Sequence, residues 1–135
     1  MALQLSVAVR NAQLDAIETA TGATAVMKIR SGALPSTCAT ADAGTVLATL
    51  SLPADWMAAA SGGTKQMLGT WSDTSADAAG TAGHFRIYAS DGTTCHMQGT
   101  VTATGGGGDL TVDNLVFAAG QSFSITSFTL TAANA

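Results

Sequence analysis

The stretch GHFRIYASDGTTCHMQGTV, residues 83–101, decides how this chain is interpreted. It contains both histidines of the chain, its only tyrosine and one of its two cysteines. Such a concentration of reactive side chains is typical of a metal or catalytic centre. The same residues also fit two short β-strands joined by a turn, and the geometry of that turn separates the two interpretations.

The turn predicts a hairpin whose loop is Ser90, Asp91 and Gly92, with the glycine in the left-handed conformation that closes a G1 bulge. The resulting cross-strand pairs are Ala89 with Thr93, Ile87 with Cys95, Phe85 with Met97, and Arg86 with His96. One face is then apolar (Phe85, Ile87, Cys95 and Met97) and the other is polar (His84, Arg86, Tyr88, Thr94, His96 and Gln98). A two-residue turn would mix the faces, so we favour the three-residue loop, which allows one face to be buried.

This separation of faces argues against a metal site. Adjacent residues of a strand point to opposite faces, so Cys95 and His96 cannot bind one ion. A structural zinc site needs four ligands, usually in close pairs, and Cys38 is isolated in a loop far from Cys95 along the chain. We therefore expect no metal and no cofactor, and we interpret Cys95 as a small core residue. A Cys38–Cys95 disulfide is the alternative, and it requires an oxidising medium.

We also expect no catalytic residue in the hairpin. The cation of Arg86, opposite His96, disfavours the charged form of the imidazole, and it offers no carboxylate to orient a general base. The sequence instead predicts an exposed polar patch that contacts another subunit or a ligand. This patch consists of His84, Arg86, Tyr88 and His96.

The composition indicates a protein that packs against other subunits. The 135 residues fit one domain, and only 10% of them are charged, against about 25% in an average soluble domain. The net charge is −4 and the five basic residues do not cluster, which argues against binding to nucleic acid or to an anionic membrane. The sequence shows neither a signal-peptide pattern nor an apolar run of about 18 residues, so we expect folding in the cytoplasm.

Residues 1–22 predict an extended segment followed by a helix from Ser6 to about Thr21. Ser6 is a suitable N-cap, and Gly22 is a suitable end of the helix. Apolar residues recur along one stripe at helical spacing, and we expect this stripe to contact other subunits. The stripe consists of Leu3, Val7, Leu14 and Ile17.

Residues 23–135 consist of short β-rich runs separated by Gly, Pro, Asn and Asp, and we place them in the same domain as the helix. The predicted strands are Ala25–Arg30, Thr45–Leu52, Lys65–Trp71, Gly83–Ala89, Thr94–Thr102, Asp109–Val112, Leu115–Phe117 and Gln121–Ala132. We expect a mainly β fold, namely a two-sheet antiparallel β-sandwich of the jelly-roll or Ig-like type with one N-terminal α-helix.

The last predicted strand contains a phase slip. Phe123 and Ile125 share one face, whereas Phe128 and Leu130 have the opposite parity. Either a β-bulge near residues 126–127 returns all four side chains to one core, or the strand is buried on both faces.

Two tryptophans, Trp56 and Trp71, flank the segment MAAASGGTKQMLGT. Exposed aromatic rings can form a platform on which sugars stack, because one side of each ring is apolar. We favour core or subunit-contact roles for both residues and keep the sugar platform as an alternative.

Six segments, spread over almost the whole chain, are similar to those of a known family. They are SVAVRNAQLDAIETATGA, MKIRSGALPS, GTVLATLSLP, SADAAGTAGHFRIYASDGTT, GGDLTVDN and AAGQSFSITSFTLTAANA. In these segments the chain resembles a widespread family of small virion structural proteins of tailed bacteriophages and prophages. The stretch TTCHMQGTV departs from the plainer strand expected of that family at Cys95 and His96.

The resemblance implies a non-enzymatic virion protein, present in many symmetric copies and made in the host bacterial cytoplasm. Its partners would be other virion proteins (capsid, neck or tail subunits) and copies of itself. Head decoration, neck and tail positions are all compatible with this expectation. The alternative is a receptor- or carbohydrate-binding module at the tail tip or fibre, which would bind a host surface glycan through the tryptophan pair and the polar face of the hairpin.

Overall fold

The computed structural model describes residues 3–132, which form a mainly β fold with one helix, as the sequence predicts. In chain order the elements are α1 (Val7–Thr21), β1 (Val26–Ser31), β2 (Val46–Ser51), β3 (Thr64–Gln66), β4 (Trp71–Asp73), β5 (Gly80–Tyr88), β6 (Cys95–Ala103), β7 (Leu110–Val112), β8 (Val116–Phe117), β9 (Phe123–Ile125) and β10 (Thr129–Thr131). Most of the strands lie within two residues of the predicted ones. The exceptions are β5, which begins three residues before the predicted Gly83, and the long runs 65–71 and 121–132, each of which is divided into two short strands.

The larger sheet is curled and has the order β2-β1-β5-β6-β7, with β8 paired to one end of β5. Its pairs are antiparallel except for β6 and β7, which run parallel with Val101 opposite Leu110. The expectation of a wholly antiparallel arrangement is therefore wrong at this pair. Parallel neighbours usually need a long crossover, but here the glycine-rich loop 104–109 turns the chain back, with Gly105 and Gly107 at positive φ.

The two smaller sheets follow one another as an interrupted antiparallel ribbon. β3 pairs with β10, β4 pairs with β9, and the second pairing is one residue out of register with the first. The extra residue lies in the segment 68–70, where Gly69 has a φ of 76°, and it faces residues 126–127 of the other strand. The bulge therefore lies between β3 and β4. The sequence predicted it on the opposite strand, near residues 126–127. Phe123, Ile125 and Phe128 are all buried in one core, and Leu130 packs half-buried against it.

Aromatic side chains join the larger sheet to the ribbon. The ring of Phe85 on β5 meets that of Phe128 edge to face, with centroids 5.6 Å apart. Phe128 in turn packs against Trp71 at 5.5 Å, and Trp71 packs against Trp56 at 5.9 Å. Both tryptophans are fully buried, so the core role favoured by the sequence is the one that the structure gives them.

The helix has the predicted ends. The hydroxyl of Ser6 accepts a hydrogen bond from the Val9 amide at 3.2 Å, and Gly22, with a φ of 90°, donates its amide to the Glu18 carbonyl at 2.9 Å. The four residues of the predicted stripe do not share one environment. Leu14 is buried and Ile17 is half-buried, whereas Val7 and Leu3 are exposed.

Candidate functional site

The hairpin between β5 and β6 has a longer loop than predicted. Ile87 lies opposite Met97 and Tyr88 lies opposite Cys95, with a bulge between the two pairs. The predicted register, which placed Ile87 opposite Cys95, is wrong. The reason is the turn, in which the carboxylate of Asp91 accepts hydrogen bonds from the Thr94 hydroxyl (2.6 Å) and from the amides of residues 94 and 93 (2.9 and 2.8 Å). These contacts, led by the Thr94 hydroxyl, hold the pKa of Asp91 well below its usual range and stabilise a loop of residues 90–93.

The polar face of this hairpin is not exposed. His84 and Tyr88 have no exposed surface and Arg86 is 2% exposed, so the prediction of a wet face is wrong for these three residues. His96, which lies at the bulge, is the member of the predicted patch that is exposed. The face is covered by the chain between β1 and β2, residues 32–45, which we call the covering loop. Several side chains of the sheet hold this loop in place.

The centre of this arrangement is Asp42, on the covering loop. Its Oδ1 atom accepts hydrogen bonds from the Tyr88 hydroxyl at 2.7 Å and from an Arg86 Nη atom at 2.8 Å, and its Oδ2 atom lies 3.0 Å from an Nη atom of Arg30. We call these four residues the Asp42 cluster. Burial raises the pKa of Asp42, but the hydrogen bond from Tyr88 and the two guanidinium charges outweigh burial and lower it overall. One carboxylate thereby compensates two buried cations.

Backbone carbonyls of the covering loop supply the remaining contacts. Arg86 donates to the Thr37 carbonyl at 3.0 Å, and the Gln98 amide donates to the Pro35 carbonyl at 2.7 Å. His84 Nδ1 lies 3.0 Å from the carbonyl oxygen of residue 32, which requires that Nδ1 carry the proton. A side chain at Gly83 would overlap that same carbonyl group, so the glycine permits the loop to approach β5. The cluster that resembled a reactive centre therefore binds a loop of its own chain.

A second buried ion cluster joins the helix to β3. The ammonium group of Lys65, whose side chain is 1% exposed, lies 2.7 Å from Asp15 and 3.0 Å from Glu18, and it donates to the Ala58 carbonyl at 2.9 Å. Burial lowers the pKa of Lys65, but the hydrogen bonds that its ammonium group donates to Asp15 and Glu18 outweigh burial and raise it. We call these three ionisable residues the Lys65 cluster. This cluster was not predicted from the sequence, although Asp15 and Glu18 have the spacing that places two carboxylates on one face of a helix.

The pH dependence of stability follows from both clusters. Asp15 and Asp42 have lowered pKa values, so their stabilisation is present above the ordinary value of 3.8 and is lost as the pH falls below it. Tyr88, whose pKa burial raises to about 12, and Lys65 bind their protons more tightly when folded, so their contribution is lost as the pH rises above 10.

Urea unfolding between pH 2 and pH 12 should therefore give a plateau of unfolding free energy between about pH 5 and 9, with a decrease on each side. Tyr88→Phe should be less stable than the native chain at neutral pH. It should also lose less stability than the native chain between pH 10 and 12, because it lacks the hydroxyl group that titrates in this range. Equal alkaline slopes for the two proteins would contradict the buried position of the Tyr88 hydroxyl.

The two cysteines lie together, against the interpretation of Cys95 as a core residue. Cys95 is half-buried on the side of the hairpin that the covering loop occupies, and Cys38 on that loop is one of the groups that raise the pKa of the Cys95 thiol. The same thiol lies 3.4 Å from the carbonyl oxygen of Met97. The inward position predicted for Cys95 followed from the wrong register, since the bulge moves it to the other face.

The sequence-predicted contact residues thus fall into separate places. His84, Arg86 and Tyr88 lie under the covering loop, and Ile17 lines a shallow groove with the exposed His96. Within residues 3–132, no group of three or more His, Cys, Asp or Glu side chains is placed to hold a metal ion. In the same part of the chain, no helix is long and apolar enough to cross a membrane.

Comparison of the chain with protein-family models, with curated proteins and with solved structures found no match in any of the three.

Proposed function

We propose that this protein is a non-enzymatic structural subunit of a tailed-phage virion, packed in many copies on the particle as a head decoration, neck or tail component. The observation that carries the proposal is the apolar N-terminal surface. Leu3, which precedes the helix, is 81% exposed, and Val7 at the start of the helix is 46% exposed. We call these two residues the N-terminal apolar surface.

The physical argument is that such a surface gains from being covered. Each large apolar side chain contributes about 1.5–3 kcal/mol when it passes from water into an interface. One such contact is weak once the entropy of association is subtracted, but a subunit on a symmetric particle makes the same contact repeatedly, and avidity holds the array. A chain with only 10% charged residues also has few charges to desolvate at a contact.

The use of the polar side chains inside the molecule supports the same role. The residues that would form a ligand-binding face, Arg86 and Tyr88, are occupied by Asp42, and Trp56 and Trp71 lie in the core. The carbohydrate-binding alternative depended on exposure of these side chains. Contact through an apolar surface therefore fits the described residues better than recognition of a sugar.

We also propose that the curled sheet and the interrupted ribbon act as the two layers of a β-sandwich. The edge-to-face contact of Phe85 with Phe128 and the aromatic packing that continues to Trp71 support this arrangement, because they fill the space between the two layers. Two sheets that share one aromatic core are the usual form of a small all-β subunit.

The N-terminal apolar surface is tested by its effect on incorporation into particles. The double variant Leu3→Ser/Val7→Ser should reduce the copies of this protein per particle by roughly tenfold or more, because both side chains would lose their burial at the contact. Val116→Ser is the matched control, since Val116 is a 60% exposed apolar residue on β8. The measurement is the ratio of this protein to major capsid protein in purified particles.

The thermal midpoints of both isolated variants should stay within a few degrees of the native value, since exposed positions contribute little to folding. If the double variant is incorporated at the normal level, the N-terminal apolar surface does not form the contact with the particle.

A further inference from the structure

The two cysteines are held together by contacts on both sides of Cys38. Thr37, the preceding residue, is bound through its carbonyl to Arg86 at 3.0 Å, and Asp42, four positions further on, is bound to both Arg86 and Tyr88. Tyr88 is the residue that lies opposite Cys95 in the sheet. The covering loop is therefore fixed over the strand pair at the level where Cys95 projects, which places the segment that carries Cys38 on the same face of the hairpin as Cys95.

Both cysteines are half-buried and neither is sealed in the core, which leaves this place open to a small oxidant in solution. Neither needs the unfolding of the sheet to reach the other, because the loop that carries Cys38 already lies over Cys95. The remaining side chains at this place, Arg86 and Gln98, are occupied by the carbonyls of the same loop. This arrangement favours the pairing of Cys38 with Cys95 within one chain.

We propose that Cys38 and Cys95 are a site of reversible disulfide formation, which converts the covering loop into a covalently closed strap across the outer face of the sheet. The oxidant is a small-molecule disulfide such as oxidised glutathione. The Cys38 thiolate attacks it and releases one thiol, and the Cys95 thiolate then displaces the second. The protein loses two protons and two electrons, and the oxidant gains them as two molecules of free thiol.

The rate of this reaction is limited by Cys95. Burial, followed by the interaction with Cys38, raises the pKa of the Cys95 thiol to about 12, so little of it is ionised at neutral pH. Closure should be slow in the folded protein at neutral pH and faster in mild alkali. The bond should nevertheless persist once it has formed, because the Asp42 cluster holds the two chain segments together.

The test uses the isolated full chain, equilibrated with oxidised glutathione at about pH 8.5. Mass spectrometry should show the loss of two hydrogen atoms per chain, and peptide mapping should find the Cys38 peptide linked to the Cys95 peptide. The thermal midpoint should rise by about 10 °C relative to the reduced protein, because the bond closes a long loop in the unfolded chain. Dithiothreitol should reverse both changes.

The single variants Cys38→Ser and Cys95→Ser are the controls, and each should show no rise in midpoint under the same conditions. Stable glutathione adducts on the native chain without an internal bond, or disulfide-linked dimers, would overturn the proposal. An internal bond that leaves the midpoint unchanged or lower would overturn the idea of a strap. The readouts are made on the isolated protein, so the result is independent of the virion role.

Discussion

Replacement of Asp42 by alanine should lower the free energy of unfolding by about 3 kcal/mol, because it leaves Arg30 and Arg86 buried without a counter-charge. Breaking a buried ion pair from one side costs about 3–5 kcal/mol in general. The lower end applies here because the Asp42 side chain is 40% exposed and water partly replaces it. Urea unfolding at neutral pH measures the change, and hydrogen exchange of residues 32–45 should accelerate, since the covering loop loses its central contact.

Two further substitutions make this experiment specific. Asp55→Ala is the matched control, because Asp55 is an exposed carboxylate, and it should change stability by less than about 0.5 kcal/mol. Tyr88→Phe removes one hydrogen bond to Asp42 and keeps the ring, so it should cost about 1–2 kcal/mol. Equal stabilities of Asp42→Ala and Asp55→Ala would mean that the covering loop does not close over Arg30 and Arg86.

Replacement of Trp71 by alanine should have a larger effect, a loss of about 3–5 kcal/mol of unfolding free energy. The Trp71 side chain is fully buried, contacts the rings of Trp56 and Phe128, and donates its indole N–H to the Leu68 carbonyl at 3.2 Å. Alanine would leave a cavity where the larger sheet and the ribbon share their core. Calorimetry or urea unfolding would measure the change.

Leu68→Ala provides the control for this substitution. Leu68 lies next to the register shift of the ribbon and is 41% exposed, so its truncation should cost less than about 1 kcal/mol. The contrast also separates the two roles considered for the tryptophan. An exposed sugar platform would tolerate Trp71→Ala with little loss of stability, and such tolerance would contradict the aromatic core.

Local signals account for what the sequence predicts correctly. The helix ends at the predicted residues because Ser6 and Gly22 act through contacts within one turn of the helix. The strands of the larger sheet are recognisable because apolar and polar residues alternate within them. The hairpin loop was one residue too short in the prediction because Asp91 accepts three hydrogen bonds from residues 93 and 94, an interaction that glycine-based turn rules do not include.

Contacts between distant segments account for what the sequence does not predict. Asp42 is 44 positions from Arg86 and 46 from Tyr88, in a segment whose composition indicates only a loop. No local pattern shows that this loop returns to the sheet and buries its polar face. Lys65 is likewise 50 positions from Asp15, so the two halves of that cluster are recognisable only when the helix lies against β3. Both clusters bring opposite charges together from separate parts of the chain.

The proposed role of this protein as a repeated structural part of a particle is tested most directly by its copy number. Virions purified from cells that carry the gene should contain this protein on the order of tens of copies per particle, measured by quantitative mass spectrometry against the major capsid protein. Its presence should persist through repeated density-gradient purification. Its absence from particles that are otherwise complete, in cells that express the protein, would contradict the account.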